Sequence, residues 1–159
     1  MIKQLRIDDR LIHGEVVVLW LNHTSADTVV VADDEHATNP MLTMTLNLAK
    51  PKGVAMHVLT VDDAIKYLND GTHDNEKIFV VCNNAQKALK LSQNCEMIQE
   101  VNVGAMRAAA GKKQVNLKVF LDDQDLKDLL EIENLGKVIY QQTKPDQKRV
   151  SLKEIAAKL

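Results

Sequence analysis

The stretch "IKQLRIDDRLIHGEVVVLWLNH", residues 2–23, decides how the chain begins to fold. Residues 2–7 read as a strand, and residues 14–23 read as a helix that Gly14 opens. Between them, Asp8, Asp9, Arg10 and His13 crowd into one short loop, with Arg6 just before it. A strand that ends in a loop and runs straight into a helix is the first half of a βαβ unit.

The same alternation continues along the chain. "DTVVVAD" (27–33) is rich in β-branched residues and suits a strand buried on both faces. A helix is expected over 38–50, with Asn39 as cap and Pro40 at the first helical position. "VAMHVLT" (54–60) reads as the third strand. Thr60 and Asp63 then resemble a capping box before a helix that Gly71 stops. "KIFVVC" (77–82) is a fourth strand, followed by a helix over 84–94. "IQEVNVG" (98–104) and "VNLKVFL" (115–121) read as two further strands. A helix over 123–134 ends at Gly136, residues 137–142 form a last strand, and Ser151 with Glu154 caps a terminal helix. Seven short strands alternating with helices imply a single domain over 1–159. It is expected to be α/β, an open, mainly parallel sheet covered by helices. In such sheets ligands gather at the carboxyl ends of the strands. That rim takes residues 8–13, 32–39, 82–84, 104–107 and 141–145.

Composition limits the partners. The chain has 159 residues, 45% hydrophobic and 26% charged, enough for one ordinary core without disulfides or metal. With 20 basic and 22 acidic residues the net charge is -2, which gives no reason to expect nucleic acid. No apolar run approaches the roughly 20 residues that span a bilayer, and the first residues show no signal-peptide pattern. Cys82 and Cys95 have no metal-type spacing and read as reduced thiols of a cytoplasmic protein.

The loop of residues 8–13 has the parts for handling an anion. A histidine imidazole is a good neutral nucleophile near neutral pH. Phosphoryl transfer to it needs positioning and charge neutralisation more than covalent help. Arg6 and Arg10 offer paired donors that match phosphate oxygens, and the free amides at a helix start, made accessible by Gly14, attract anions. Asp8 or Asp9 can hold the other ring nitrogen or an arginine. No metal or cofactor is called for. The plainer reading makes these residues surface ion pairs worth roughly 0–1 kcal/mol each. His36, on the same rim, is a second candidate histidine. Asp33, Asp34 and Glu35 read equally as a solvated helix approach. Met41, Met44 and Met56 are expected in the core.

With these residues in view, "RIDDRLIHG" resembles the N-terminal signature of IIB components of the mannose/fructose/sorbose class of the bacterial phosphoenolpyruvate:sugar phosphotransferase system. "VADDE", "PKGV", "NVGAM" and a late glutamine and proline (142 to 145) extend the resemblance over nearly the whole chain. The resemblance implies a phosphoryl carrier. His13 would accept the group through Nδ1 from a IIA phosphocarrier and pass it to a sugar imported through the membrane components IIC and IID. Arg6 and Arg10 would bind the phosphoryl oxygens and Asp8 would support the ring. The family's parallel sheet between helices agrees with the element order.

Two positions depart from the family pattern. Glu15 stands where glutamine is usual. A unit charge about 7 Å from an anion costs roughly 0.6 kcal/mol in water and about four times that at an effective dielectric near 20. If Glu15 faced the phosphoryl site, transfer would weaken, and the chain would read instead as a regulatory or scaffold homologue. Ala105 replaces a frequent glycine and raises the question of a positive φ there. A receiver-type signalling domain is excluded by the third strand, which ends "HVLT" and lacks the required aspartate.

Overall fold

The computed structural model describes all 159 residues. Strand β1 (Ile2–Asp8) leads through the charged loop into α1 (Gly14–Thr24), and β2 (Thr28–Ala32) follows. The helix expected over 38–50 is α3 (Pro40–Ala49), and a short helix that was not expected, α2 (Asp34–Thr38), occupies the loop before it. They meet at Asn39, whose side chain caps α3 by accepting from the amides of Met41 and Leu42, with Pro40 at the first position. Then come β3 (Ala55–Leu59), α4 (Val61–Asn69), β4 (Ile78–Cys82), α5 (Ala85–Asn94) and β5 (Glu100–Ala105).

Residues 115–121 are not one strand. They divide into β6 (Lys113–Asn116) and β7 (Val119–Leu121), an antiparallel pair outside the main sheet. Asn116 turns the chain by accepting the amide of Lys118 through its side chain, leaving Leu117 exposed at the tip. The chain finishes with α6 (Asp123–Asn134), β8 (Val138–Gln141), β9 (Val150–Ser151) and α7 (Leu152–Ala156). The main sheet has the order β3-β2-β4-β1-β5-β8-β9 and is parallel except for the edge strand β9. Its strand count equals the seven expected, but β9 supplies one of them and residues 115–121 lie outside it.

Alternation along the strands sorts side chains onto two faces. Val30, Ala32, Ile78, Val80, Leu5 and Ile7 point into the larger core, under α4, α5, α6 and α7. Val29, Val31, Phe79 and Val81 point the other way, onto Trp20 and Leu21 of α1 and Leu46 of α3. Met41 and Met44, expected in the core, are exposed on the outer side of α3, while Met56 is half-buried. The face under α1 is not apolar throughout. Toward β5 and β8 it carries Gln4, Arg6, Asp8, Asn102 and Tyr140, all buried. Tyr140 accepts from Gln4 at 3.0 Å and donates to Glu100. The catalytic-looking loop is the open end of this polar half.

Candidate functional site

The chain leaves β1 in a turn closed by the Leu11 amide on the Asp8 carbonyl, 2.9 Å. Leu11 takes a positive φ of 58°, which costs an L-residue about 1–2 kcal/mol. Leu11 and Ile12 are both almost wholly buried. Burying each such side chain contributes about 1.5–3 kcal/mol, so the apolar anchor outweighs the strain. His13 follows in extended conformation (φ -156°, ψ 137°) as the residue that precedes α1.

Asp8 organises the loop. Its Oδ2 lies 3.1 Å from His13 Nε2, and its Oδ1 accepts the Arg10 amide at 3.1 Å. The His13 ring keeps about one-fifth of its surface exposed (20%), and Nδ1 makes no hydrogen bond within the chain. Behind Asp8 lies Arg6, 3.5 Å away. Its guanidinium donates to the carbonyls of Gln142 (3.1 Å) and Thr143 (3.2 Å) and sits over the Trp20 ring. The Trp20 indole donates to the same Thr143 carbonyl at 2.9 Å. Burial pushes the Arg6 pKa down, against the opposing pull of Asp8. Arg6, expected to bind phosphoryl oxygens, is thus buried and turned in part toward the end of β8. Nη1 and Nη2 donate to the two carbonyls just past β8, and Nη2 also lies against Asp8. Arg10 is exposed, and its guanidinium has no partner in the chain.

The start of α1 is unusual for this molecule. The six other helices each have a side-chain oxygen capping an N-terminal amide, from Asp33, Asn39, Thr60, Asn84, Asp122 and Ser151. The residue before α1 is His13, whose side chain caps nothing. The first amides of an 11-residue helix are left bare beside the open ring nitrogen. Gly14 takes φ +50° there. Glu15 is exposed and forms no ion pair, so nothing in the site ties its carboxylate to His13.

Three contacts around the loop are not readable from the sequence pattern, even where their residues fall on the expected rim. Trp20 and the carbonyls of 142–143 reach Arg6 only through the fold. Gly104 lies under Arg6, where an added Cβ would stand 2.3 Å from the guanidinium carbon. Ala105, in contrast, ends β5 without a positive φ. Arg107 binds Asp9 through Nε to Oδ2 (3.0 Å) and through Nη2 to the backbone carbonyl (3.1 Å), fixing the outer side of the loop.

A site of this form, with a carboxylate-held histidine at a bare helix start, suits transient anion or phosphoryl binding. The chain matches the family model described as "PTS system sorbose subfamily IIB component" over residues 2–159. The chain belongs to that family. It is 32% identical to a probable phosphotransferase enzyme IIB component of Streptococcus pyogenes, covering 98% of this chain and 99% of that one. It is 36% identical to the N-acetylgalactosamine-specific phosphotransferase enzyme IIB component 1 of Escherichia coli, over 90% of this chain and 91% of the other. The crystal structure of the IIBSor domain of the sorbose permease from Klebsiella pneumoniae superimposes with a TM-score of 0.94. That likeness has 27% identity and covers 100% of this chain and 98% of that one. As a IIB component, the chain is a phosphotransferase of a sugar-transport system that delivers a phosphoryl group to sugar. The regulatory reading, which rested on Glu15, is not favoured. None of the helices is long and apolar enough to cross a membrane.

Proposed function

We propose that His13 is the phosphoryl carrier of this IIB component. It takes the group on Nδ1 from a IIA phosphocarrier protein and hands it to a sugar presented by the membrane components IIC and IID. The observation that carries the reading is the division of the ring. Asp8 engages Nε2, which leaves Nδ1 open beside the uncapped start of α1. A ring whose Nε2–H points to a carboxylate has its lone pair on Nδ1, the atom that attacks phosphorus. Once phosphorylated, the ring carries positive charge that Asp8 offsets. The phosphoryl oxygens meet the amides of Gly14 and its neighbours and the free guanidinium of Arg10. Arg6 acts one layer down, keeping Asp8 in place. Such a carrier works in the bacterial cytoplasm, touching the membrane only through IIC and IID. Its acceptor belongs to the mannose, sorbose and N-acetylgalactosamine group named for its relatives.

The test is intact-mass analysis after incubation with phosphoenolpyruvate, the two general phosphotransferase proteins and a mannose-class IIA. The parent should gain one acid-labile phosphoryl group, and His13→Ala should gain none. A gain in His13→Ala would move the carrier to another residue.

A further inference from the structure

We propose that His36 is the general base that takes the proton from the sugar hydroxyl as the phosphoryl group leaves the protein, an inference that rests on His13 as the carrier. His36 lies in α2, at the carboxyl end of β2, and its Nδ1 is 2.5 Å from Asp33 Oδ2. Asp33 has no exposed surface. It also accepts the His36 amide at 3.0 Å and the Lys87 ammonium, which bonds in turn to Asn83 Oδ1 at 2.9 Å. Burial pushes the Asp33 carboxyl up, but the hydrogen bonds from Lys87 and His36 outweigh it and hold its pKa below the usual range. An ionised carboxylate accepts, so Nδ1 carries the ring hydrogen and Nε2 keeps its lone pair. This is the arrangement by which a buried aspartate orients a catalytic imidazole. A cap for the five-residue α2 needs only the bond to the His36 amide. The ammonium of the half-buried Lys87 and the second bond to the ring go beyond that need.

Nε2 of His36 has no partner in the chain, the side chain is 22% exposed, and the residue lines a cleft of about 350 Å³. The cleft runs from His36 past Asn83 to Arg107 and its partner Asp9, the latter on the loop that ends in His13. In the sheet only β4 separates β2 from β1, so the strand ends from which the segments carrying the two histidines leave lie about 10 Å apart. The cations that line the cleft, Lys87, Arg107 and Lys112, are each already paired with a carboxylate, of Asp33, Asp9 and Asp125. Glu35 adds a further acid on the same helix as His36. A cleft with balanced charge and many donors and acceptors suits a neutral polyol better than an anion. The two histidines are then opposite in design. Asp8 takes Nε2 of His13 and leaves Nδ1 to hold phosphorus, whereas Asp33 takes Nδ1 of His36 and leaves Nε2 to accept a proton.

In the transfer, the bond between phosphorus and His13 Nδ1 breaks, and its electron pair returns to the ring, which keeps its hydrogen toward Asp8. A bond forms between phosphorus and the sugar oxygen, and the hydroxyl proton passes to His36 Nε2, then to water.

The experiment separates the two half-reactions in the parent and in His36→Asn, which keeps a donor near the position of Nδ1 but has no base at Nε2. Phosphorylation of His13 by phospho-IIA should proceed at the parental rate, which also shows that the variant is folded. Delivery from the phosphorylated variant to sugar, with membranes holding IIC and IID, should fall about 10²–10⁴-fold, the usual contribution of a general base. The parental delivery rate should rise with pH as an imidazole base requires, and that limb should be missing in the variant. Delivery within threefold of the parent, a retained pH limb, or equal losses in both half-reactions would overturn the proposal. Absence of phosphate on His13 in the parent would remove the underlying carrier reading instead.

Discussion

His13 has two ring nitrogens of nearly equal intrinsic reactivity, and one neighbour distinguishes them. Asp8 lies 3.1 Å from Nε2. Asp8→Asn keeps the volume but replaces a pure acceptor with a group that also donates, which permits the wrong tautomer. Phosphoryl acceptance, followed by intact mass against time, should slow on the order of 10²–10⁴-fold, as when an orienting aspartate is lost from a catalytic triad. The support beneath Asp8 is just as specific. In Gly104→Ala the new methyl would meet the Arg6 guanidinium, which its bonds to Gln142, Thr143 and Asp8 hold in place. Overpacking of this kind costs about 1–3 kcal/mol. The urea midpoint of Gly104→Ala should fall accordingly, with acceptance slowed in parallel. His13 stood out in the sequence with both Asp8 and Asp9 in its short loop, and it is the fold that puts Asp8 rather than Asp9 beside the ring. Arg6 was legible as a residue but not in its orientation, because the atoms that turn it inward are backbone carbonyls 136 and 137 positions away. Trp20 was silent for the same reason, and Gly104, although it lies on the expected rim within "NVGAM", gave no sign of its contact with Arg6.

The helices and strands show where local signals suffice. Pro40 after Asn39, Thr60 before Val61 and Ser151 before Leu152 all start helices as their chemistry predicts. Asp122 completes a reciprocal capping box with Asp125, an arrangement that the sequence carries but that no hydrophobic period marks. Asp122→Ala should cost about 1 kcal/mol, within a range of about 0.5–2, read as a shift in thermal or urea unfolding with no loss of phosphoryl acceptance. The misread element is residues 115–121. Leu117 continues an apolar run while sitting exposed at a turn, so the pattern hides the reversal that the Asn116 side chain makes. β9, at two residues, is too short to show any period. None of these errors moves the site, because the order of β2, β4 and β1 places the rim, and those strands are strongly patterned.

At the scale of the whole molecule, two cores clamp one sheet, and carboxylates bonded to cations tie its covering helices together. Asp33 joins α2 to α5 through Lys87, and Asp125 on α6 takes Lys112 at 2.6 Å and Gln86 of α5 at 3.3 Å. For both acids burial pushes the pKa up, but hydrogen bonds from these partners prevail and lower it from the ordinary value near 3.8. A depressed folded-state pKa means that the unfolded chain binds protons first. The stabilisation is complete above the ordinary carboxylate range and is lost as pH falls through 3.8 toward the lower folded values. Unfolding free energy should therefore change little from neutrality to about pH 5 and decline below it, and Asp125→Asn should reduce the slope of that decline. The buried thiols titrate far from this range, with Cys82 pushed up to about 12 and Cys95 to about 11 by burial.

The central claim is that Nδ1 of His13 carries the phosphoryl group because Asp8 holds Nε2. Long-range ¹H–¹⁵N correlation spectra of the histidine rings, recorded before and after phosphorylation by phospho-IIA, test it most directly. The account predicts a His13 ring protonated on Nε2 beforehand and phosphorus bonded to Nδ1 afterwards, with the rings of the four other histidines free of phosphate. Phosphorus on Nε2 of His13, or on any other histidine, would contradict it.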